Sequence, residues 1–388
     1  MKFIPRALAP QLQKASRAFA AVLLTGPRQC GKTTLLRQLW PRASYVLLED
    51  PDVIARVRSD PRAFVQALRP PVILDEIQST PELFNYLRSR IDATPARKGQ
   101  WLMTGSQEAG LMQGVAESMA GRVAILHLLP LSTIESPRVG LLRGGYPDVI
   151  GRPAAAEIWF RSYVQTYLER DVRAVTAVRD LGTFRRFLSL LAARTGCMLN
   201  RSEFAAPLGV SVPTISGWLS ALEVTGQILL VPPFYENFGK RLLKSPKVYF
   251  IDTGLVCHLL GISGASALRQ STFAGPLFES FVAAELAKQQ INRGGRVEFW
   301  YFRDQQGLEV DFVVPRGVGR LALIEAKSSQ TPVPAMARPL QRLAGAMHNR
   351  RAQCYVVHGG SGPDAAGRAL TRGVAAVTLP QLLDELAT

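Results

Sequence analysis

The sequence predicts an α/β protein: a helix-covered parallel sheet in the first third, a mainly helical middle, and a second mixed α/β unit at the C-terminus. Three observations carry this. Gly26-Pro27-Arg28-Gln29-Cys30-Gly31-Lys32-Thr33 completes a GxxxxGK[ST] phosphate-binding loop between the apolar run Ala20 to Leu24 and the helical pattern Thr34 to Trp40. Residues 1 to about 130 alternate short apolar runs with helical segments, as a parallel sheet requires. The last third reads helix, three strands, helix, strand. A chain of 388 residues is long enough for two or three cores.

Strands are expected near 20–25, 44–48, 71–75, 100–104 and 123–128. After the first, Gly26 and Gly31 permit the backbone turns that aim successive N–H groups at phosphate, and the following helix adds its positive N-terminal end. The loop, Gly26 to Thr33 with Thr34, would hold ATP; Lys32 would reach the β- and γ-phosphates and Thr33 would hold Mg2+. The third strand, Pro71-Val72-Ile73-Leu74, ends in Asp75 and Glu76. Asp75 suits the Mg2+ shell, and Glu76 is placed to orient or deprotonate the attacking water. The fourth ends in Thr104-Gly105-Ser106, whose hydroxyls, Ser106 above all, are candidates for sensing the γ-phosphate. Arg122 either completes a neighbouring copy's site as a finger or serves its own chain as a sensor or salt-bridge partner.

Pro130 to Pro153, rich in Pro and Gly, reads as the exit from this domain, and Ala154 to Val175 as a lid helix over the nucleotide. Helices over Phe184–Arg194, Ser202–Leu208 and Val212–Val224, a turn at Gly209, and strands at Ile228–Val231 and Val248–Ile251 make a winged helix-turn-helix. Its third helix carries Ser211, Thr214, Ser216 and Ser220 but no Lys or Arg, so the basic loop, with Lys240, Arg241, Lys244 and Lys247, is the better DNA candidate. The alternative is a packing module between domains.

In the C-terminal third a helix is expected over 276–291, strands over 297–302, 308–314 and 320–326, a helix over 334–347, a strand over 353–358 and a final helix from Pro380. This αβββαβ order resembles the restriction-endonuclease-like fold. On that pattern Asp311 and Glu325 would hold Mg2+, Lys327 would position or activate water, and Glu279 or Glu285 of the first helix would support the metal. The alternative is a fold kept for DNA binding or assembly.

The chain resembles the AAA-type ATPases that carry a C-terminal DUF4143 domain. The signposts are IPRAL, GPRQCGKTTLL, ILDEIQ, LMTGSQ, ESMAGR, GGYP, YLERDV, SPKVYFIDTGL, GPLFESFVAAEL, LEVDFVV and IEAKSS, in that order. The expected organisation is a P-loop AAA-type ATPase core over 1–135, lid and linker helices over 136–180, the winged helix over 181–262 and the restriction-endonuclease-like domain over 263–388.

Forty-six basic against 30 acidic residues give a net charge of +16, which favours a polyanionic partner, with duplex or branched DNA first. Cys30, Cys197, Cys257 and Cys354 are far apart and form no CxxC pair, so neither a disulfide framework nor a zinc site is suggested. Reduced thiols in cytoplasm are expected, with Cys30 open to alkylation. His127, His258, His348 and His358 are too scattered for a metal cluster. Phe19 to Leu24 is too short to span a membrane. These features point to an ATPase that assembles into a ring or partial ring, a hexamer among the options, and moves on or remodels DNA by branch migration or unwinding. The rivals are an ATP-gated nuclease or defence switch and a slowly hydrolysing ATP-binding scaffold.

Overall fold

The computed structural model describes residues 3–106, 115, 117–168, 180–234, 245–347, 351–360 and 368–387. In the first third β1 (Ala21–Thr25), β2 (Ser44–Leu47), β3 (Val72–Asp75), β4 (Trp101–Thr104) and β5 (Val123–His127) pair in parallel, in the order β2-β3-β4-β1-β5. The inner strands β1, β3 and β4 are buried along their length because both of their faces are covered. Ala21, Leu23, Val72, Leu74, Trp101 and Met103 pack with Val57, Phe64, Phe84 and Leu87 of three helices on one side. The alternate residues Val22, Leu24, Ile73 and Leu102 pack with Leu12, Leu35 and Leu36 on the other. Each Val, Leu, Ile, Phe or Met side chain fully buried in these layers contributes about 1.5–3 kcal/mol.

The middle unit holds helices Leu181–Ala192, Arg201–Leu208 and Val212–Val224, followed by antiparallel β6 (Ile228–Val231) and β7 (Lys247–Phe250). Asn200 and Ser211 accept hydrogen bonds from Ser202 N and Thr214 N, both at 3.2 Å, and so start the second and third helices. Gly209, at φ +65°, ends the second in the left-handed conformation that favours glycine. The expected lid helix is present over Ala156–Tyr163, but Phe160 and Tyr163 are buried with Tyr146, Phe184, Phe187 and Trp218, inside the middle unit's core. Residues 169–179 lie outside the described residues, as do 235–244.

The C-terminal unit is a six-stranded sheet. Strands β8 (Trp300–Arg303), β9 (Glu309–Pro315) and β10 (Arg320–Lys327) form an antiparallel meander. Parallel to β10 runs β11 (Arg351–His358), and parallel to that β13 (Val374–Val377), with β12 (Arg368–Thr371) antiparallel at the edge. The β12–β13 pair was not anticipated, because two four-residue strands leave too little periodicity to read. Helix Ala274–Asn292 is buried around most of its circumference, between this sheet and the middle unit. Among the described residues no single helix is long and apolar enough to cross a membrane.

Candidate functional site

Parallel pairing brings the C-terminal ends of β1, β3 and β4 to one sheet edge, where open α/β sheets bind ligands. The phosphate-binding loop leaves β1 there. Gly26 has φ +140°, and a Cβ on it would stand 2.1 Å from the Leu128 carbonyl oxygen, so only glycine fits. Gly31 has φ +96° and caps helix Lys32–Leu39. Gln29 is held at φ +62° between them. Lys32 Nζ curls back to donate to the carbonyls of Gly26 and Pro27, each at 3.0 Å. Pro27 and Arg28 are buried, and Arg28 lies 3.9 Å from Glu49. Thr34 is exposed.

Asp75, 4% exposed, is held by hydroxyls from three elements. Thr33 Oγ1 donates to its Oδ1 at 2.8 Å, Thr104 Oγ1 to the same oxygen, and Tyr45 OH to Oδ2 at 2.7 Å. Burial and the Asp75 carboxylate raise the Tyr45 pKa, so its proton stays in place as donor. Glu76 adopts the left-handed conformation, φ +57° and ψ 53°, which a non-glycine residue takes at a cost of about 1–3 kcal/mol. Two contacts hold it: its N–H donates to Thr104 Oγ1 at 3.0 Å, and its Oε2 accepts from Gln78 Nε2 at 2.5 Å. Thr104 is thus used in organising the two carboxylates. Ser106, buried beside them, has a hydroxyl with no partner among the described residues. The donor set fits Mg2+·ATP: a hydroxyl and a carboxylate in contact are hard oxygen ligands, beside a lysine, a helix N-terminus and an unpartnered buried hydroxyl.

Two parts of this site carry no signal within the loop motif. Arg6, 7% exposed, donates from Nη1 to the Cys30 carbonyl at 2.9 Å, from Nη2 to the Leu129 carbonyl at 2.6 Å, and from Nε to Glu135 at 2.9 Å. It braces the loop from behind. The IPRAL segment was the available clue. Tyr45 had none beyond its place on the strand next to β3. Cys30 corrects an expectation: it is fully buried, donates to the Leu128 carbonyl at 3.2 Å, and burial pushes its thiol pKa up, so it is closed to alkylation.

Arg122 lies at the opposite sheet edge. Its carbonyl accepts from Ala21 N, at the start of β1, and the five residues of β1 separate it from the loop by roughly 17 Å at ~3.3 Å per residue. A sensor role in its own site is excluded by that distance. Its guanidinium makes a bidentate pair with Asp92, Nε–Oδ1 2.6 Å and Nη2–Oδ2 3.0 Å, at the surface.

A family model described as an AAA domain matches residues 18–136, one described as DUF8612, a domain of unknown function, matches 135–266, and one described as DUF4143, also of unknown function, matches 274–382. An uncharacterized protein of Mycobacterium tuberculosis and one of Mycobacterium bovis are each 33% identical over 334 residues, 84% of this chain and 74% of theirs. The chain belongs to the AAA-type ATPases that carry a DUF4143 domain. Similar solved structures include a Walker-type ATPase of Pyrococcus abyssi, 16% identical over 65% of this chain and 94% of that one with TM-score 0.44. Another is the Thermotoga maritima RuvB Holliday junction branch migration motor, 20% identical over 58% and 87% with TM-score 0.30.

In this AAA-type ATPase the C-terminal residues singled out from sequence also converge, but not as an open metal site. Glu279, Glu309 and Asp311 surround the Lys247 ammonium, which is 2.8 Å from Glu279, 2.6 Å from Glu309 and 3.8 Å from Asp311. Lys327 Nζ pairs with Glu325 Oε1 at 2.6 Å. Asp311 Oδ2 accepts from Ala326 N at 2.8 Å. Burial and mutual repulsion raise the pKa values of Glu279 and Glu325. Burial opposes the charge on Lys247, but Glu279, Asp311 and Glu309 outweigh it and raise its pKa. The Mg2+ expected between Asp311 and Glu325 therefore does not fit the site as it stands: their charges are taken up by Lys247, Lys327 and the Ala326 amide, and among the described residues no group of three or more His, Cys, Asp or Glu is placed to hold a metal ion.

Two expectations change here. Lys247 is not part of a DNA-facing loop; it sits in β7 at 2% exposure. Lys240, Arg241 and Lys244 lie outside the described residues, and so does His348. Glu285 does not share a face with Glu279, because six residues of helix rotate it by about 120°. Its Oε2 accepts from Thr133 N at 2.8 Å and Thr133 Oγ1 at 2.7 Å, and its Oε1 accepts from Lys288 at 2.9 Å. The hydroxyls of the third middle helix are also partly committed: Ser211 caps its start and Ser216 bonds back to the Val212 carbonyl at 3.0 Å.

Proposed function

We propose that this AAA-type ATPase acts on DNA as an assembly of its own copies, coupling ATP hydrolysis to translocation or remodelling such as branch migration or unwinding. The observation that carries the hydrolytic part is the cluster of Thr33, Asp75, Thr104 and Glu76 at one sheet edge. Bound Mg2+·ATP would supply the electrophilic γ-phosphoryl group and the charge on it. Lys32 would leave the Gly26 and Pro27 carbonyls for the phosphates, Thr33 and Asp75 would hold the metal, and Glu76 would orient the attacking water from the backbone position that Thr104 imposes. Ser106, whose buried hydroxyl has no partner among the described residues, would offer it to the γ-phosphate. DNA is favoured by the net charge of +16. The test is the ATPase rate with single-stranded, duplex and four-way-junction DNA across a salt series. Stimulation by one form identifies the substrate, and no stimulation by any form removes the DNA reading. Replacing Lys240, Arg241 and Lys244 with Ala should flatten the salt slope of binding by about one per lost phosphate contact.

Assembly supplies a use for Arg122, whose own loop is on the far edge. Mixing Arg122→Ala with Lys32→Ala subunits should restore part of the lost ATPase activity, since mixed interfaces contain one intact half from each. No recovery in verified mixed oligomers leaves Arg122 as the partner of Asp92 only. A nucleotide-dependent switch is the second reading. It is favoured by the turn at Gly226, where a Cβ would meet the Pro27 ring at 3.2 Å, so the middle unit rests directly on the phosphate-binding loop.

A further inference from the structure

We infer that Lys247 of the middle unit is the resident cation of the C-terminal carboxylate cluster and closes that cluster to divalent metal. The inference does not depend on the ATPase reading. Three carboxylates, Glu279 of the first C-terminal helix and Glu309 and Asp311 of β9, meet in one place and are the hard oxygen donors that divalent cations take. Their centre is filled by an ammonium that comes from another unit of the chain. Lys247 Nζ touches Glu279 Oε1 and Glu309 Oε1, and lies 3.8 Å from Asp311 Oδ1. A divalent ion sharing those carboxylates would sit within a few ångströms of a positive charge in a water-poor site, where repulsion is strong.

The delivery of Lys247 is well anchored. Tyr249, two residues on in the same strand, donates from its hydroxyl to Glu279 Oε1 at 2.5 Å, and is itself fully buried. The ring of Tyr301, on β8, lies with its centroid 5.6 Å from the Lys247 ammonium. The register of β7 with β6 and its packing against helix Ala274–Asn292 thus set where the ammonium goes. Beside it Lys327 takes Glu325 Oε1 at 2.6 Å, and Glu325 Oε2 is left buried without a partner among the described residues. Lys247 consequently ties the middle unit to the C-terminal unit through the same groups that would otherwise hold metal.

The experiment titrates Mn2+ into the full-length protein without nucleotide, followed by the electron paramagnetic resonance signal of free Mn2+. Wild type should bind none at the cluster. Lys247→Ala should gain one ion per chain, bound about tenfold or more tightly than any wild-type site, and adding Asp311→Asn to that variant should remove it. Lys247→Arg, which keeps the charge, should stay closed. Removing one partner of a buried ion pair can prevent folding. Should circular dichroism show that for Lys247→Ala, the charge-balanced Lys247→Met with Glu309→Gln carries the same titration. The inference is overturned if wild type binds an ion that Asp311→Asn abolishes, or if a folded variant lacking the Lys247 ammonium gains none.

Discussion

Glu76→Gln is expected to keep ATP bound while hydrolysing it about 10²–10⁴-fold more slowly than wild type, the usual contribution of a positioned catalytic base. The substitution retains shape and removes the charge that would orient water. The backbone of residue 76 would stay where the Thr104 hydroxyl holds it, because that bond runs to its N–H and not to its carboxylate. Lys32→Ala should instead lose nucleotide binding. Its ammonium is buried and donates to two loop carbonyls, ready to exchange them for phosphate oxygens. Equilibrium binding of a fluorescent ATP analogue and single-turnover phosphate release separate the two effects. Undiminished turnover by Glu76→Gln moves the water-orienting role to another residue, with Ser106 the next to be changed.

Gly145→Ala is expected to be the most damaging single-methyl change away from the nucleotide. A Cβ at Gly145 would stand 2.0 Å from the Leu131 carbonyl oxygen, which accepts from Lys288, while Leu131 N itself donates to the Gly145 carbonyl at 2.7 Å. Gly145 N donates to Asp252 Oδ2 at 2.7 Å, whose other oxygen accepts from Leu255 N at 3.1 Å. Gly254 closes the joint from the other side, 2.5 Å from the Arg143 carbonyl by the same measure. Backbone thus meets backbone where the end of the ATPase domain, the middle unit and the C-terminal helix join, and no rotamer can relieve the clash. The cost should reach about 3 kcal/mol or more, the upper range of overpacking. It would be read as lost soluble yield and a lowered thermal midpoint, against Gly140→Ala, which meets nothing within 4 Å and should behave as wild type. A Gly145→Ala protein that melts like wild type would show that the joint yields.

Much of the nucleotide site was legible because its parts are local. The loop occupies consecutive positions, and Asp75 and Glu76 end a strand whose apolar run is unbroken. Side chains that leave no periodic trace were not legible. Arg6 acts over 24 residues to reach Cys30 and over 129 to reach Glu135, Tyr45 acts over 30 to reach Asp75, and Lys247 acts over 32 to reach Glu279. Charge alone sent Lys247 to the surface with its neighbours, since sequence does not distinguish a lysine at the end of a basic loop from one at the first position of a buried strand.

The sequence by itself determined the strand alternation, the phosphate-binding loop and the pair of carboxylates, because each is specified by residues adjacent in the chain and by side-chain period. Only the tertiary structure decided which ions meet. Parallel strand order put Thr104 between the loop and the carboxylates and put Arg122 on the far edge. Helix rotation separated Glu279 from Glu285. The docking of β7 placed an ammonium among the C-terminal carboxylates. The physical reason is that a buried charge must be matched by a partner within a few ångströms, and which partner is near is set by how whole elements pack rather than by any local preference.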